Sequence, residues 1–166
     1  MLGGMLGNTY ESEVCSIARA LEVIGERWSV LIIRNALFAG STRFSDFQRS
    51  LGIATNTLTT RLDGFVAAGI MRRDGHEYLL TDKGRELAPA LIALTAWGDR
   101  WAAPDGPPIL YRHTTCGSDV GHRVVCATCG QVADPAEVQA LPGPGMPAER
   151  VERMAARRSN PPIPTA

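Results

Sequence analysis

The sequence predicts a mainly α-helical domain with a small β-wing, followed by a small β-rich C-terminal extension. Three observations carry that class. Apolar residues recur at helical spacing from Val14 to Leu37 and again from Leu87 to Trp101. Between them, Arg43 to Gly84 reads as a short amphipathic helix, a Gly52-Ile53 turn, a second helix rich in Thr and Asn, and a basic hairpin. After Ala103 to Pro108 the pattern changes to short β-type runs punctuated by Cys-Gly pairs.

Met1 to Tyr10 is Gly-rich and expected to be loose. From Glu11 a first helix puts Val14, Ile17, Ala18, Leu21 and Ile24 on one face and ends at Gly25. The second, Arg27 to Phe38, is apolar around much of its circumference, which predicts the central buried helix. Ala39-Gly40-Ser41 breaks it. Phe44, Phe47 and Leu51 define the core face of the third helix, with Ser41 or Thr42 as its cap. The fourth buries Leu58, Leu62, Phe65 and Val66, and Gly69 stops it. Ala54 has no polar side chain to cap this helix, so either Thr55 takes that role or the helix begins less firmly.

Ile70 to Leu80 is a hairpin with Asp74-Gly75 as its two-residue turn. A fifth helix is expected from Asp82 to Trp101, kinked at Pro89. These boundaries give a domain over 11–103, an extension over 109–141 and a flexible tail over 142–166 containing a short helix from Glu149 to Arg158.

The 166 residues include 17 acidic and 17 basic side chains, so the formal net charge is zero. Any role on a polyanion must therefore rest on a locally positive face. Lys83 is the sole lysine; the other cations are Arg, whose fork suits phosphate and guanine. No apolar run approaches the roughly 20 residues of a membrane span, and the N-terminus lacks the charged and apolar regions of a signal peptide. A cytoplasmic location is expected. With three His and no nucleophile–base pattern, the sequence does not suggest an enzyme.

The fourth helix turns Asn56, Thr59 and Thr60 away from its apolar face, with Thr57 and Arg61 toward one side. Asn can pair with adenine through two hydrogen bonds, and a Thr methyl can meet a thymine methyl. Thr55, at the start of this helix, belongs to the same candidate double-stranded DNA-binding surface. Arg72, Arg73 and His76 near the hairpin tip suit phosphates or the minor groove, and Arg43 and Ser45 suit phosphate at the start of the third helix. A solvated polar surface is the plain alternative for each. The order helix, turn, helix, basic hairpin favours DNA.

Three segments then carry a specific resemblance: CSIARALEVIGERWSVLIIRNAL at 15–37, RFSDFQRSLGIATNTLTTRLDGFVAAGIMRR at 43–73 and YLLTDKGRELAPALIALTAWGDRW at 78–101. Together they resemble the HxlR-type winged helix-turn-helix transcriptional regulators over about two-thirds of the chain. The resemblance implies a homodimer acting on operator DNA. Some members use a cysteine at the position of Cys15 against oxidants or electrophiles, so a sensing role is one reading of it; a structural cysteine at the dimer interface is the favoured one, and here Ser16 replaces the usual Pro. The wing is shorter than is usual, and Ala54 stands where a Ser-like cap is expected.

A dimer also follows from apolar surplus. Val14, Ile17 and Leu21 on the first helix and Leu91, Leu94, Trp97 and Trp101 on the last exceed what one small domain needs, and are the expected dimer interface. A small-molecule effector would act through it. The other reading is a redox- or ligand-sensing module whose winged helix makes protein contacts.

Cys116, Cys126 and Cys129 cluster in HTTCGSDVGHRVVCATCG, residues 113–130. Two copies of a ligand-x-x-Cys-Gly unit stand there, beginning at His113 and at Cys126. His113, Cys116, Cys126 and Cys129 make a Cys3His donor set, which predicts a zinc-ribbon-like structural site, with His122 as a rival fourth donor. A buried apolar role for these cysteines, or a redox pair at Cys126 and Cys129, is the alternative.

Overall fold

The computed structural model describes residues 13–132 and 134–159. Expectations for Met1 to Tyr10, for Glu11 and for residues 160–166 lie outside the described residues. The chain divides into two compact units, Met1–His122 and Arg123–Ala166.

The first unit contains α1 (Ser16–Ile24), α2 (Ser29–Phe38), α3 (Phe44–Leu51), α4 (Thr55–Ala67), β1 (Met71–Asp74), β2 (Glu77–Leu80), α5 (Asp82–Arg85) and α6 (Ala88–Ala102). Mainly helical with one antiparallel two-strand sheet, it has the predicted winged helix-turn-helix order. Its core joins Ile32 and Ile33 of α2, Phe47 of α3, Leu58, Leu62 and Phe65 of α4, Met71 and Tyr78 of the hairpin and Leu91 of α6. Complete burial of one such side chain contributes roughly 1.5–3 kcal/mol. α2 contributes the fully buried Ser29, Ile32 and Ile33, and α1, α3, α6 and β2 pack on it.

The helix-turn-helix is held by local chemistry. The Arg43 N–H is satisfied by the Asp46 carboxylate at 3.2 Å, so α3 is capped from its own first turn and not by Ser41 or Thr42. Ser41 is buried, and the Thr42 hydroxyl donates to Glu77 at 3.1 Å. Gly52 ends α3 at φ +61, a left-handed conformation that a side chain would strain. Ala54 precedes α4 without any side-chain cap, and Thr55 does not cap either: its Oγ1 accepts from Gln48 Nε2 of α3 at 2.8 Å.

Several boundaries differ from expectation. α1 begins at Ser16, with Cys15 extended at its N-cap position. The hairpin turn is Gly75-His76, not Asp74-Gly75: Asp74 pairs with Glu77, and Gly75 carries φ +56. The long fifth helix is two helices. Pro89 lacks an N–H and sits in the first turn of α6, where that N–H has no intrahelical partner anyway, so it starts a helix instead of kinking one. Leu91, expected at a dimer interface, is 5% exposed in the chain's own core.

Pro107, Ile109, Leu110, Tyr111, Asp119 and Val120 of the first unit share a small cavity of about 90 Å³ with Ile92 and Ala96 of α6. Tyr111 also meets Phe38 of α2, ring centroids 4.6 Å apart. The expected β-rich extension is not formed as strands: among the described residues from 109 to 132 there are only two isolated bridges, Arg112 to Asp119 and Val125 to Val132. The second unit carries a 3-10 turn at Pro135–Glu137, within the expected extension, and a helix α7 at Ala148–Ser159, where the sequence places a short helix from Glu149 to Arg158.

Candidate nucleic-acid interface

The exposed face of α4 is built by the burial of its other side. Leu58, Leu62 and Phe65 are at most 2% exposed, which fixes the helix about its axis and turns Thr55, Asn56, Thr59 and Thr60 to solvent. Thr59 Oγ1 donates to Thr55 O at 3.0 Å and Thr60 Oγ1 donates to Asn56 O at 2.9 Å. With each hydroxyl hydrogen held by the preceding turn, both threonines present fixed methyl groups and oxygen lone pairs. The Asn56 side-chain amide has no hydrogen-bond partner among the described residues and retains its full donor–acceptor pair. These are the groups that can meet base edges.

Two members of the predicted set are placed differently. Thr57 is half-buried. Arg61 is also half-buried, and its Nη2 lies 3.4 Å from Glu26 Oε2 in the segment between α1 and α2. Sequence reasoning missed Glu26, since nothing local pairs positions 26 and 61. It missed Gln48 for the same reason, and it missed Asp63, which lies on the exposed face of α4 one turn beyond Thr59.

The wing brings its cations together with intramolecular partners. Arg43 bridges Glu77 in the backbone, and its Nε stands 3.5 Å from Glu77 Oε1. Arg72 pairs with Asp74 at 3.0 Å. Arg73 lies over the Tyr78 ring, 5.6 Å from its centroid, and donates to Gly75 O at 3.3 Å. His76 is exposed at the tip and Ser45 is exposed on α3. Exposed ion pairs of this kind are worth about 0–1 kcal/mol, so exchanging the carboxylate for a phosphate costs little.

The wing is fastened to the end of α4 by Thr81-Asp82-Lys83-Gly84. Thr81 Oγ1 donates to Gly69 O at 2.6 Å, and Lys83 Nζ donates to Ala68 O at 2.7 Å. The sole lysine thus satisfies a helix end. Gly84 packs so closely that a Cβ there would stand 2.3 Å from Ile70 O.

A model of the HxlR-like helix-turn-helix family matches residues 23–106. The chain belongs to this family. An uncharacterized HTH-type transcriptional regulator of Mycobacterium tuberculosis, Rv3095, is 42% identical to this HxlR-like chain over 152 residues, covering 87% of it and 94% of the relative. YvaP of Bacillus subtilis, likewise an uncharacterized HTH-type transcriptional regulator, is 34% identical over 103 residues, 57% of this chain and 94% of its own. The crystal structure of PA1607, a candidate transcription factor, superposes with a TM-score of 0.71 at 38% identity, covering 80% of this chain and 98% of that one. PA1374 of Pseudomonas aeruginosa gives a TM-score of 0.59 at 36% identity, covering 84% and 99%.

Outside the helix-turn-helix, Val14 just before α1 and Ile17 and Leu21 on α1 are exposed, and α6 leaves Leu94, Trp97 and Trp101 exposed at 55%, 61% and 66%. Cys15 is exposed beside the first group. No helix among the described residues is long and apolar enough to cross a membrane.

The predicted metal donors form two local pairs. His113 Nδ1 lies 3.3 Å from Cys116 Sγ, and hydrogen bonds from the Ser118 hydroxyl and N–H, then from His113, lower the Cys116 thiol to about 7. The N–H groups of Cys129 and Thr128 lower that of Cys126. Among the described residues, no three His, Cys, Asp or Glu side chains gather as a metal-ligand group.

Proposed function

We propose that this HxlR-like chain is a sequence-specific DNA-binding transcriptional regulator that acts in the cytoplasm as a homodimer on operator DNA. One observation carries the reading. The first half of α4 presents Asn56, Thr59 and Thr60 to solvent with the threonine hydroxyls already oriented by their own helix, on a face otherwise free of large side chains. Oriented groups lose less freedom on meeting a base edge, which favours discrimination. Thr55 and the uncapped first turn of α4 supply N–H groups for a phosphate. Arg43, Ser45, Arg72, Arg73 and His76 flank it and contact the backbone of the duplex, while Thr57 and Arg61 hold the helix in place.

The dimer closes through the open apolar side chains of α1 and α6. A large aromatic such as Trp97 or Trp101 buries roughly 150–250 Å² when covered, which solvent exposure wastes. A two-fold axis then sets two α4 helices about 34 Å apart, or a multiple of that, on a pseudo-palindrome. A small-molecule effector, or modification of Cys15 beside the α1 face, changes occupancy by moving the two reading heads.

Selection of bound fragments from the source genome by the full chain tests this reading. Enrichment of a pseudo-palindrome, bound more weakly as salt rises, is expected. Absence of any enriched sequence, or affinity indifferent to salt, contradicts it and leaves a protein-contact role for the winged helix.

A further inference from the structure

A cavity of about 570 Å³ opens between the C-terminal end of α2, the Ser41-Thr42 segment, the hairpin and α5. Its lining lies within the first unit. Its volume falls in the range of about 300–1,000 Å³ in which proteins hold small organic ligands. Ala36, Leu37 and Leu80 pack against the core yet stay only half-buried, and with Leu79 they give the cavity an apolar wall. Arg72 of β1 and Arg85 of α5 also line it, each with its side chain 58% exposed.

Three polar groups of this lining remain open to a ligand. Ser41 is 7% exposed, and its hydroxyl has no hydrogen-bond partner among the described residues. Buried hydroxyls ordinarily have one. The neighbouring hydroxyls are taken, since Thr42 donates to Glu77 and Thr81 donates to Gly69 O. Arg72 pairs with Asp74, and Arg85 pairs with Asp82 while donating to Leu80 O at 2.6 Å. Exposed pairs of this kind hold weakly, so either guanidinium can turn to another carboxylate. Asp82 lines the cavity as well, and against the two arginines it leaves one net positive charge.

We propose that this cavity binds small amphipathic monocarboxylates. Arg72 and Arg85 supply the positive charge and the planar fork that a carboxylate fits, and the Ser41 hydroxyl donates to one of its oxygens. The apolar body of the ligand covers Ala36, Leu37, Leu79 and Leu80. A neutral ligand leaves the charge unanswered, and inorganic phosphate leaves the apolar wall uncovered. Such a ligand is also the effector, a role that rests on the DNA-binding reading. Arg72 cannot hold the ligand's carboxylate and a phosphate of the duplex together, so ligand and operator weaken each other's binding by the same factor.

Calorimetric titration of the full chain, free of DNA, with 2-naphthoate and with octanoate tests the site. Binding of at least one is expected, about 10-fold weaker in Ser41→Ala and in Arg72→Gln, with 2-naphthamide and inorganic phosphate not bound. Ser41→Ala removes a single oxygen and Arg72 is exposed, so both variants keep the fold. No binding of either carboxylate, equal binding of 2-naphthamide, or affinity indifferent to both substitutions overturns the proposal. Operator affinity with and without saturating carboxylate tests the effector role: a fall is expected, and an unchanged value overturns that role. A chain that selects no operator at all contradicts the DNA-binding reading, while the calorimetry still decides the site.

Discussion

Arg61 of α4 and Glu26 of the segment between α1 and α2 form an ion pair, 3.4 Å between Nη2 and Oε2, with both side chains about a quarter to a third exposed. The pair ties the middle of α4 to a segment distant in sequence and draws the guanidinium to the flank of the helix. In the proposed reading, Arg61 serves DNA binding by positioning α4.

If that is so, Arg61→Ala and Glu26→Ala should weaken operator binding to a similar extent, and the double variant should be no worse than either. Each should cost at most about 1 kcal/mol of stability in a urea titration, because the pair is solvent-screened. A loss of affinity in Arg61→Ala set against a gain in Glu26→Ala would instead mean that the arginine reaches a phosphate directly.

Gly84 is where the wing meets the end of α4. In Gly84→Ala the new Cβ would lie 2.3 Å from Ile70 O and 2.8 Å from Leu80 Cδ2. The backbone must shift, so a stability loss of about 1–3 kcal/mol is expected, read as a lower urea midpoint with unchanged slope. A midpoint equal to that of the parent protein would show that the Thr81–Gly84 clasp yields freely.

The exposed aromatic side chains of α6 predict association. Trp97→Glu should convert a dimer to a monomer in sedimentation while the helical circular dichroism is kept, because Trp97 is 61% exposed and contributes little to the protomer core. A variant that sediments like the parent would place the dimer contact elsewhere.

Much of this architecture was legible from periodicity. Phe47, Leu58, Leu62 and Phe65 fall at helical spacing, and all four are buried. The misplaced features share a physical cause: each was decided by a competition between neighbouring options. Gly75 can occupy either position of a two-residue turn, and the pairing of Asp74 with Glu77 decided which. Pro89 is compatible with a kink or a helix start, and α5 ends early enough to allow the start. Leu91 shares its stripe with Leu94, but only Leu91 points into the core.

The candidate interface was legible in part. Asn56, Thr59 and Thr60 follow from the apolar face opposite them. The threonine hydroxyl bonds, the link from Gln48 to Thr55 and the pairing of Arg61 with Glu26 depend on rotamers and on contacts between segments, which spacing alone does not encode. In the extension, short β-type runs suggested strands, yet without an apolar partner face only two bridges formed among the described residues.

The central claim is that the exposed first half of α4 reads base sequence. It is tested most directly by the affinity of Asn56→Ala, Thr59→Ala and Thr60→Ala for the selected operator and for unrelated duplex, across a salt series. The account predicts that operator affinity falls about 5- to 150-fold in Asn56→Ala, from a loss on the order of 1–3 kcal/mol, with the salt slope and the affinity for unrelated DNA unchanged. Retention of the parent protein's ratio of operator to unrelated affinity in all three variants would contradict it.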